Sequence, residues 1–517
     1  MPPLSLIKGK PYKVKDDDTL KSIAEKAGIT WQELARFNWG TDNPDRINAF
    51  LRNKVGCRKR TSDGKNYIFT SKDDPGIIQV PEKMPEKSFA SNATHPIIVS
   101  PGDPKTRVPS KCMVHFRPAS DWKGKFGFDW LRIGDRGAEK YEPPLLTGGF
   151  GLTAAKAKEE IKKEFPKLET EVKGKPDYRV PYLNLFPPNS KESASPGDPQ
   201  PPSEAKLDLL VTIEDQAAES LKFRVGNLQD NDDLSGDLVI PDNDKYFDFE
   251  LVGGTTIPAS VGSHKATVKI KCLKKLDADV EINIYALTRE PAGDLKAYVA
   301  GKIIAGANGA SSRKKIKFIL VPVWTDVRGT GVAIKGSFTN KESENLRNAL
   351  FQAMIEGELL EVPGLYLDLA DNDDFKKTTS AGAKGRYYTT KKKGGLNQDD
   401  NTFFDSVKTI FLSEGDNDKY KDYFTIFTFG ERPYDFALGQ VQDFNVHNLI
   451  VFPKRDDCTV NHEGCHGLGL NHSFKEDPPE PGAKFTFEEG KTDNVMDYTY
   501  DSSALILWRW QWQIINK

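Results

Sequence analysis

Residues 462–472 read His-Glu-Gly-Cys-His-Gly-Leu-Gly-Leu-Asn-His, and three of the chain's seven histidines fall inside this stretch. On a helix, His462 and His466 are four residues apart and project from one face, so both imidazoles can reach a single ion at about 2.0 Å. Gly469 can take the positive φ that ends a helix, which lets the chain turn and bring His472 back as a third ligand. Three protein ligands leave a fourth position for water, the pattern of a catalytic zinc site. A closed structural site uses four ligands and is rich in Cys. Glu463, beside the first ligand, is placed to take a proton from the attacking water and deliver it to the leaving amine. One catalytic Zn2+ and peptide-bond hydrolysis are the expectations. Cys465 points to another side of the helix than His466 and reads as a packing thiol.

The pattern HExxHxxGxxH resembles that of the metzincin metallopeptidases, and the resemblance extends over residues 313–517. It implies a Met-turn beneath the metal, matched by Met496 in NVMDY, and a tyrosine that stabilises the oxyanion, matched by Tyr498. Around the motif, the apolar run at 316–324, an amphipathic helix at 342–357 and apolar runs in LYLDLA, YFTIFTF and HNLIVFP alternate, which predicts an α/β domain. Trp508, Trp510 and Trp512 are expected to pack a C-terminal segment on that domain.

At the other end, residues 12–38 read as a short strand, an Asp18 cap and two helices, with Leu20, Ile23 and Ala24 on one face and Trp31, Leu34 and Phe37 on the next. Tyr12, Val14, Asp18, Thr19, Leu20, Ile23, Ala24, Leu34 and Asn38 resemble a LysM module, which implies binding of peptidoglycan or another N-acetylglucosamine polymer through Asp18, Thr19 and Leu20. Asp17 stands where that family has Gly, and the second half is longer than usual. The closing strand is expected at Ile77–Pro81.

Between these ends, residues 83–200 offer a helix at 153–164 and a Pro/Ser-rich stretch that reads as a linker, so a boundary is expected near 200. Residues 201–312 alternate in short strands and predict an immunoglobulin-like β-sandwich. The expected organisation is a multi-domain α+β chain: a LysM-like module at 1–82, a middle region at 83–200, the sandwich at 201–312 and the catalytic domain at 313–517.

Lys plus Arg total 73 against 75 Asp plus Glu, so no basic field draws the chain to nucleic acid. No stretch approaches the roughly 18 consecutive apolar residues of a membrane span, and the first residues lack the pattern of a signal peptide. Five cysteines are too few and too scattered for a disulfide framework and suit synthesis in a reducing cytoplasm. Wall binding and hydrolysis on a leaderless chain resemble an effector of a type VI secretion system. That resemblance implies export by a leaderless route to the periplasm or outside the cell, a secretion-apparatus carrier, an immunity protein, and a peptide or protein substrate. The alternative is a structural or wall-targeting component of a phage-tail-like apparatus with a vestigial peptidase domain.

Overall fold

The computed structural model describes residues 9–517, except 82–110, 133–144, 169–177, 191–198, 229–233, 235–244, 475–481, 499–503 and short stretches at 17, 28–29, 40–43, 62–63, 65, 189, 215, 255 and 290–292. The chain divides into two compact units, one N-terminal and one from Pro109 onward.

In the N-terminal unit, β1 (Gly9–Lys13) is followed by α1 (Leu20–Ala27), α2 (Trp31–Trp39), α3 (Pro44–Phe50) and a π-helical turn at Leu51–Val55. A small hairpin of β2 (Lys59–Arg60) and β3 (Tyr67–Ile68) precedes β4 (Ile77–Pro81), which pairs antiparallel with β1. The closing strand therefore lies where the sequence places it, displaced by an insert that contributes Leu51, Val55, Cys57 and Phe69 to the core around Val14, Ile23, Ala24 and Leu34. The helix cap differs from expectation. Thr19 and Ser22 exchange backbone and hydroxyl hydrogen bonds of 2.9 Å, so Thr19 caps α1, and the Asp18 carboxylate instead holds the preceding turn at the Lys15 amide.

The second unit begins with β5 (Cys112–Pro118), β6 (Gly127–Asp129), β7 (Leu146–Gly149), β8 (Leu152–Thr153), α4 (Ala154–Lys163) and β9 (Tyr182–Asn184). Then come β10 (Glu204–Ile213), β11 (Ser220–Val225), β12 (Phe247–Leu251), β13 (Gly262–Cys272), β14 (Val280–Arg289) and β15 (Leu295–Ala305). One sheet runs β12-β13-β10-β5 and the other β11-β14-β15-β9-β6, and their inner faces share one apolar core. The expected boundary near 200 is thus corrected. Strands β5, β6 and β9 come from the middle region and supply members of both sheets, because the backbone groups of β10 and β15 need partners on their outer sides.

The α/β part comprises β16 (Lys314–Thr325), β17 (Ile334–Lys335), α5 (Asn340–Gln352), β18 (Ile355–Leu360), β19 (Leu367–Asp368), β20 (Tyr388–Thr389), β21 (Gly395–Leu396), α6 (Phe403–Ser413), β22 (Phe424–Phe429), β23 (Gly439–Val441), β24 (Asn448–Val451), α7 (Thr459–Gly467), β25 (Thr486–Phe487) and α8 (Arg509–Ile515). Strands β18, β16, β22 and β24 are parallel, and β23 is an antiparallel edge beside β24. Helices α5 and α7 share a core with one face of this sheet, and α6 with the other, which explains the nearly uninterrupted apolar run of β22.

This part does not close on itself. Strand β25 pairs with β7, and Trp508 and Trp510 enter the sandwich core while Trp512 enters the core beneath α7. The expectation that all three tryptophans pack on the catalytic part is corrected: α8 rotates successive side chains to different faces, so the segment joins two cores.

Candidate metal centre

Helix α7 lies close against its neighbours because glycine leaves room. A Cβ at Gly467 would stand 2.5 Å from the Phe424 ring, and one at Gly464 would stand 3.2 Å from Leu346. The helix ends as Leu470 N–H bonds back to Cys465 O at 3.0 Å and Gly469 takes φ +96°. Asn445 fills the space a Gly469 side chain would need, with its Oδ1 2.5 Å from that Cβ position. The turn returns His472 to His462 and His466, as the spacing predicts.

The three Nε2 atoms form a triangle with edges of 3.1 Å. His462 Nδ1 lies 2.8 Å from Val495 O and His466 Nδ1 lies 2.6 Å from Leu470 O. A carbonyl only accepts, so both Nδ1 atoms carry protons and both Nε2 atoms present lone pairs. Those lone pairs face each other at 3.1 Å with no proton between them. A cation among them removes the repulsion, and nitrogens held at about 2.0 Å by a tetrahedral zinc stand ~3.3 Å apart, near the separation found here. The donor set therefore fits a zinc ion. Burial pushes the pKa of His462 down to about 4, helped by the neighbouring His472, and burial likewise lowers His466 well below the usual value. Both rings are neutral at pH 7, as ligands must be. Cys465 is fully buried and its thiol is pushed up to about 12, so it stays protonated and serves packing.

The support beneath the triangle is a turn at Asn494–Asp497. Met496 is fully buried in the core under α7, and its carbonyl accepts from Ser473 N–H at 2.8 Å, next to His472. The Val495 carbonyl orients His462. Asn494 exchanges two amide hydrogen bonds with Gln511 of α8, at 2.7 and 3.0 Å. The C-terminal helix thereby steadies the turn that fixes one ligand.

Glu463 sits against β23. A Cβ at Gly439 would approach its Cγ to 2.8 Å, and the Val441 amide faces its carboxylate. Burial raises its pKa to about 7, with the Val441 hydrogen bond opposing that rise. Tyr498, 44% exposed, stands with ring centroids 4.7 Å from His472 and 5.6 Å from His462. Phe474 stacks on His472 at 4.8 Å and Phe444 meets His466 edge-on at 5.4 Å. Gly439, Val441, Phe444 and Phe474 were not singled out from the sequence, since short edge strands and lone phenylalanines carry no spacing signal.

The residues expected to bind glycan differ in kind. Asp18 is buried and its carboxylate accepts from Tyr12 Oη, Lys15 N and Lys26 Nζ. Burial alone would raise its pKa, but these donors hold it below the usual carboxylate range. Thr19 is committed to the cap and Leu20 packs partly on the core. Asp18 thus has a structural task in the module, holding the turn before α1, beside any part it takes in binding glycan.

Residues 12–51 match the LysM domain family, whose members bind N-acetylglucosamine polymers such as peptidoglycan, and the chain carries a LysM domain there. No curated protein matches the chain. Among the described residues no helix is long and apolar enough to cross a membrane.

Proposed function

We propose that the chain is a zinc-dependent endopeptidase carried to cell-wall glycan by its LysM domain, with a C-terminal site that resembles those of metzincins. The observation that carries the peptidase reading is the convergence of three Nε2 atoms, two of them with lone pairs directed inward by carbonyls at Nδ1, beside a carboxyl whose pKa lies near 7. His462, His466 and His472 would hold the ion. When bound, zinc supplies Lewis acidity, lowering the pKa of a water to about 7 and polarising the scissile carbonyl.

The chain's own groups do the rest. Glu463 accepts the proton of the attacking water at a carboxylate oxygen and hands it to the leaving nitrogen, a role suited to a carboxyl that exchanges protons near neutrality. The Tyr498 hydroxyl donates to the oxygen that gains negative charge. Phe444 and Phe474 pack against the ligand rings and limit water around them.

Strand β23 supports a peptide substrate. Leu438 O and Gln442 N bond to β24, so the groups of Gly439 and Val441 face the other edge, where no further strand pairs among the described residues. An extended chain can add itself there beside Glu463. A wall-binding domain joined to such a site suits an effector delivered to a periplasm, where an immunity protein would guard the producer.

The test is digestion of purified peptidoglycan and of a generic protein by the zinc-loaded full chain and by Glu463→Ala, with products identified by mass. Hydrolysis that falls by roughly 10²- to 10⁴-fold in the variant supports the reading. Equal behaviour of the two proteins in every assay would favour the wall-targeting scaffold. Sedimentation of the full chain with peptidoglycan or chitin tests the glycan partner separately.

A further inference from the structure

The edge of β23 near Glu463 continues into a surface that carries three cations outside any ion pair among the described residues. The segment 431–438 leads directly into β23, and two of its side chains, Phe436 and Leu438, are 39% and 42% exposed. Phe436 adopts φ +69°, a region a bulky residue enters only when its surroundings enforce it. The start of this segment is held by the neighbouring turn: Gly395 packs on the backbone of Arg432 and Pro433, and Leu396 forms a bridge to Pro433.

Three cations gather on the exposed rings. Lys393 Nζ lies 5.3 Å and the Arg432 guanidinium 5.7 Å from the Phe436 centroid, and Lys392 Nζ lies 5.7 Å from the Tyr434 centroid. Among the described residues none of the three forms an ion pair. Two carboxylates share this surface and keep their charge: Asp399 accepts the Tyr434 hydroxyl, and Asp435 accepts Gln398 Nε2 at 2.9 Å and Ala437 N at 3.1 Å, so the cations outnumber the acids around these rings without pairing to them. Cations over ring faces keep most of their charge available to a ligand.

Along β23 the Val441 amide faces Glu463. The outward backbone groups that a peptide can pair with are those of Gly439 and the Val441 carbonyl, and a chain continuing past Gly439 runs toward Leu438 and Phe436. Phe436 precedes Gly439 by three residues, and three residues of extended chain cover ~10 Å, so the position of a peptide that would meet this surface is about three residues from the bond held at Glu463.

We infer that this surface is a specificity subsite for an acidic peptide segment, paired through its backbone with the outer edge of β23 and through carboxylates with Lys392, Lys393 and Arg432. The inference rests on the reading of β23 as the substrate strand. Backbone pairing selects a peptide over other polyanions, and cations without an ion-pair partner among the described residues select acidic side chains.

The test uses the full zinc-loaded chain carrying Glu463→Ala, so that peptides bind without being cut. Three fluorescent decapeptides share one apolar centre and carry three Glu, three Ser or three Lys on one flank. The Glu peptide is expected to bind about tenfold tighter than the Ser peptide, with an advantage that shrinks as salt rises. Charge reversal at all three sites (K392E, K393E, R432E) should abolish or invert that order. Lys392→Gln with Lys393→Gln should reduce it, which guards against misfolding of the triple variant.

Equal affinities for the three peptides would overturn the inference, and so would an acidic preference that survives charge reversal. Binding to purified peptidoglycan with no peptide binding would overturn it too. Hydrolysis of the Ser peptide by the wild-type chain separates the two proposals. Cutting without acidic preference sinks only the subsite, whereas preference without cutting sinks only the catalytic reading.

Discussion

Asp18 and the histidine triangle are both buried or half-buried polar clusters that the sequence marks as functional, and their internal hydrogen bonding tells them apart. The Asp18 carboxylate is met by a hydroxyl, an amide and an ammonium, so the cluster is complete without a ligand. At the triangle, the outer nitrogens of His462 and His466 are satisfied by carbonyls and the inner ones face lone pair to lone pair. A cluster that satisfies itself holds a fold together, and one that leaves like groups converging calls for a guest. Removing one member should have opposite consequences in the two places.

The largest contrast is therefore between His472→Ala and Asp18→Ala. The first should reduce zinc retained after dialysis from one per chain toward zero while leaving the metal-free chain as stable as before. The second should leave zinc content unchanged and cost the N-terminal unit about 1–3 kcal/mol, because the Lys15 amide and Tyr12 hydroxyl lose their acceptor. Metal analysis and denaturant unfolding together read both. If Asp18→Ala instead weakens glycan binding with no loss of stability, the contrast fails on that side.

Gly439→Ala sharpens the argument at the base. The new Cβ would crowd Glu463 Cγ and Thr459 Cγ2, both 2.8 Å away, and displace the carboxylate without touching a ligand. Hydrolysis should fall by up to about 10²-fold with full zinc content, the scale of a 1 Å misplacement. An unchanged kcat would mean that Glu463 does not depend on β23 for its position.

A smaller effect is expected from Gln511→Ala, which removes both amide contacts to Asn494 and loosens the turn that orients His462. Zinc affinity measured by chelator competition should drop by about 10- to 100-fold, the usual range for groups behind a ligand. No change would show that the turn is rigid without α8.

The smallest effect concerns pH. His462 titrates near 4 in the folded metal-free chain and near 6.5 when unfolded, so the unfolded chain binds the extra proton between these values. Stability of the metal-free chain should fall as pH drops from about 6.5 to about 4, visible as a declining Tm. A flat profile across that window would show that the ring is more solvated than its surroundings suggest.

Much of the site was legible because its signals are local. The spacing of His462, His466, Gly469 and His472 is a statement about one helix and one turn, and Met496 follows within reach. Helices at 153–164 and 342–357 were likewise readable from periodicity, although α5 stops at Gln352 because Met354 takes φ +60° and β18 begins at Ile355. What stayed hidden depends on distant partners. Strands β5 and β9 are recognisable only through β10 and β15, far along the chain, and Trp508 and Trp510 found the sandwich because α8 bridges two cores. Strand β23, three residues long, has no pattern of its own, yet it carries Gly439 and Val441 to Glu463. Asp18 reads as the cap because its residue type suits both a helix cap and the turn before it, and Thr19 holds the cap instead.

The central claim is that three histidine nitrogens converge because they hold an ion. Its most direct measurement is the zinc content of the full chain after metal removal, remetallation and dialysis, with His462→Ala, His466→Ala and His472→Ala alongside. One zinc per wild-type chain, absent from each variant, is the expected result; a wild-type chain that retains none, or variants that retain it equally well, would contradict the account.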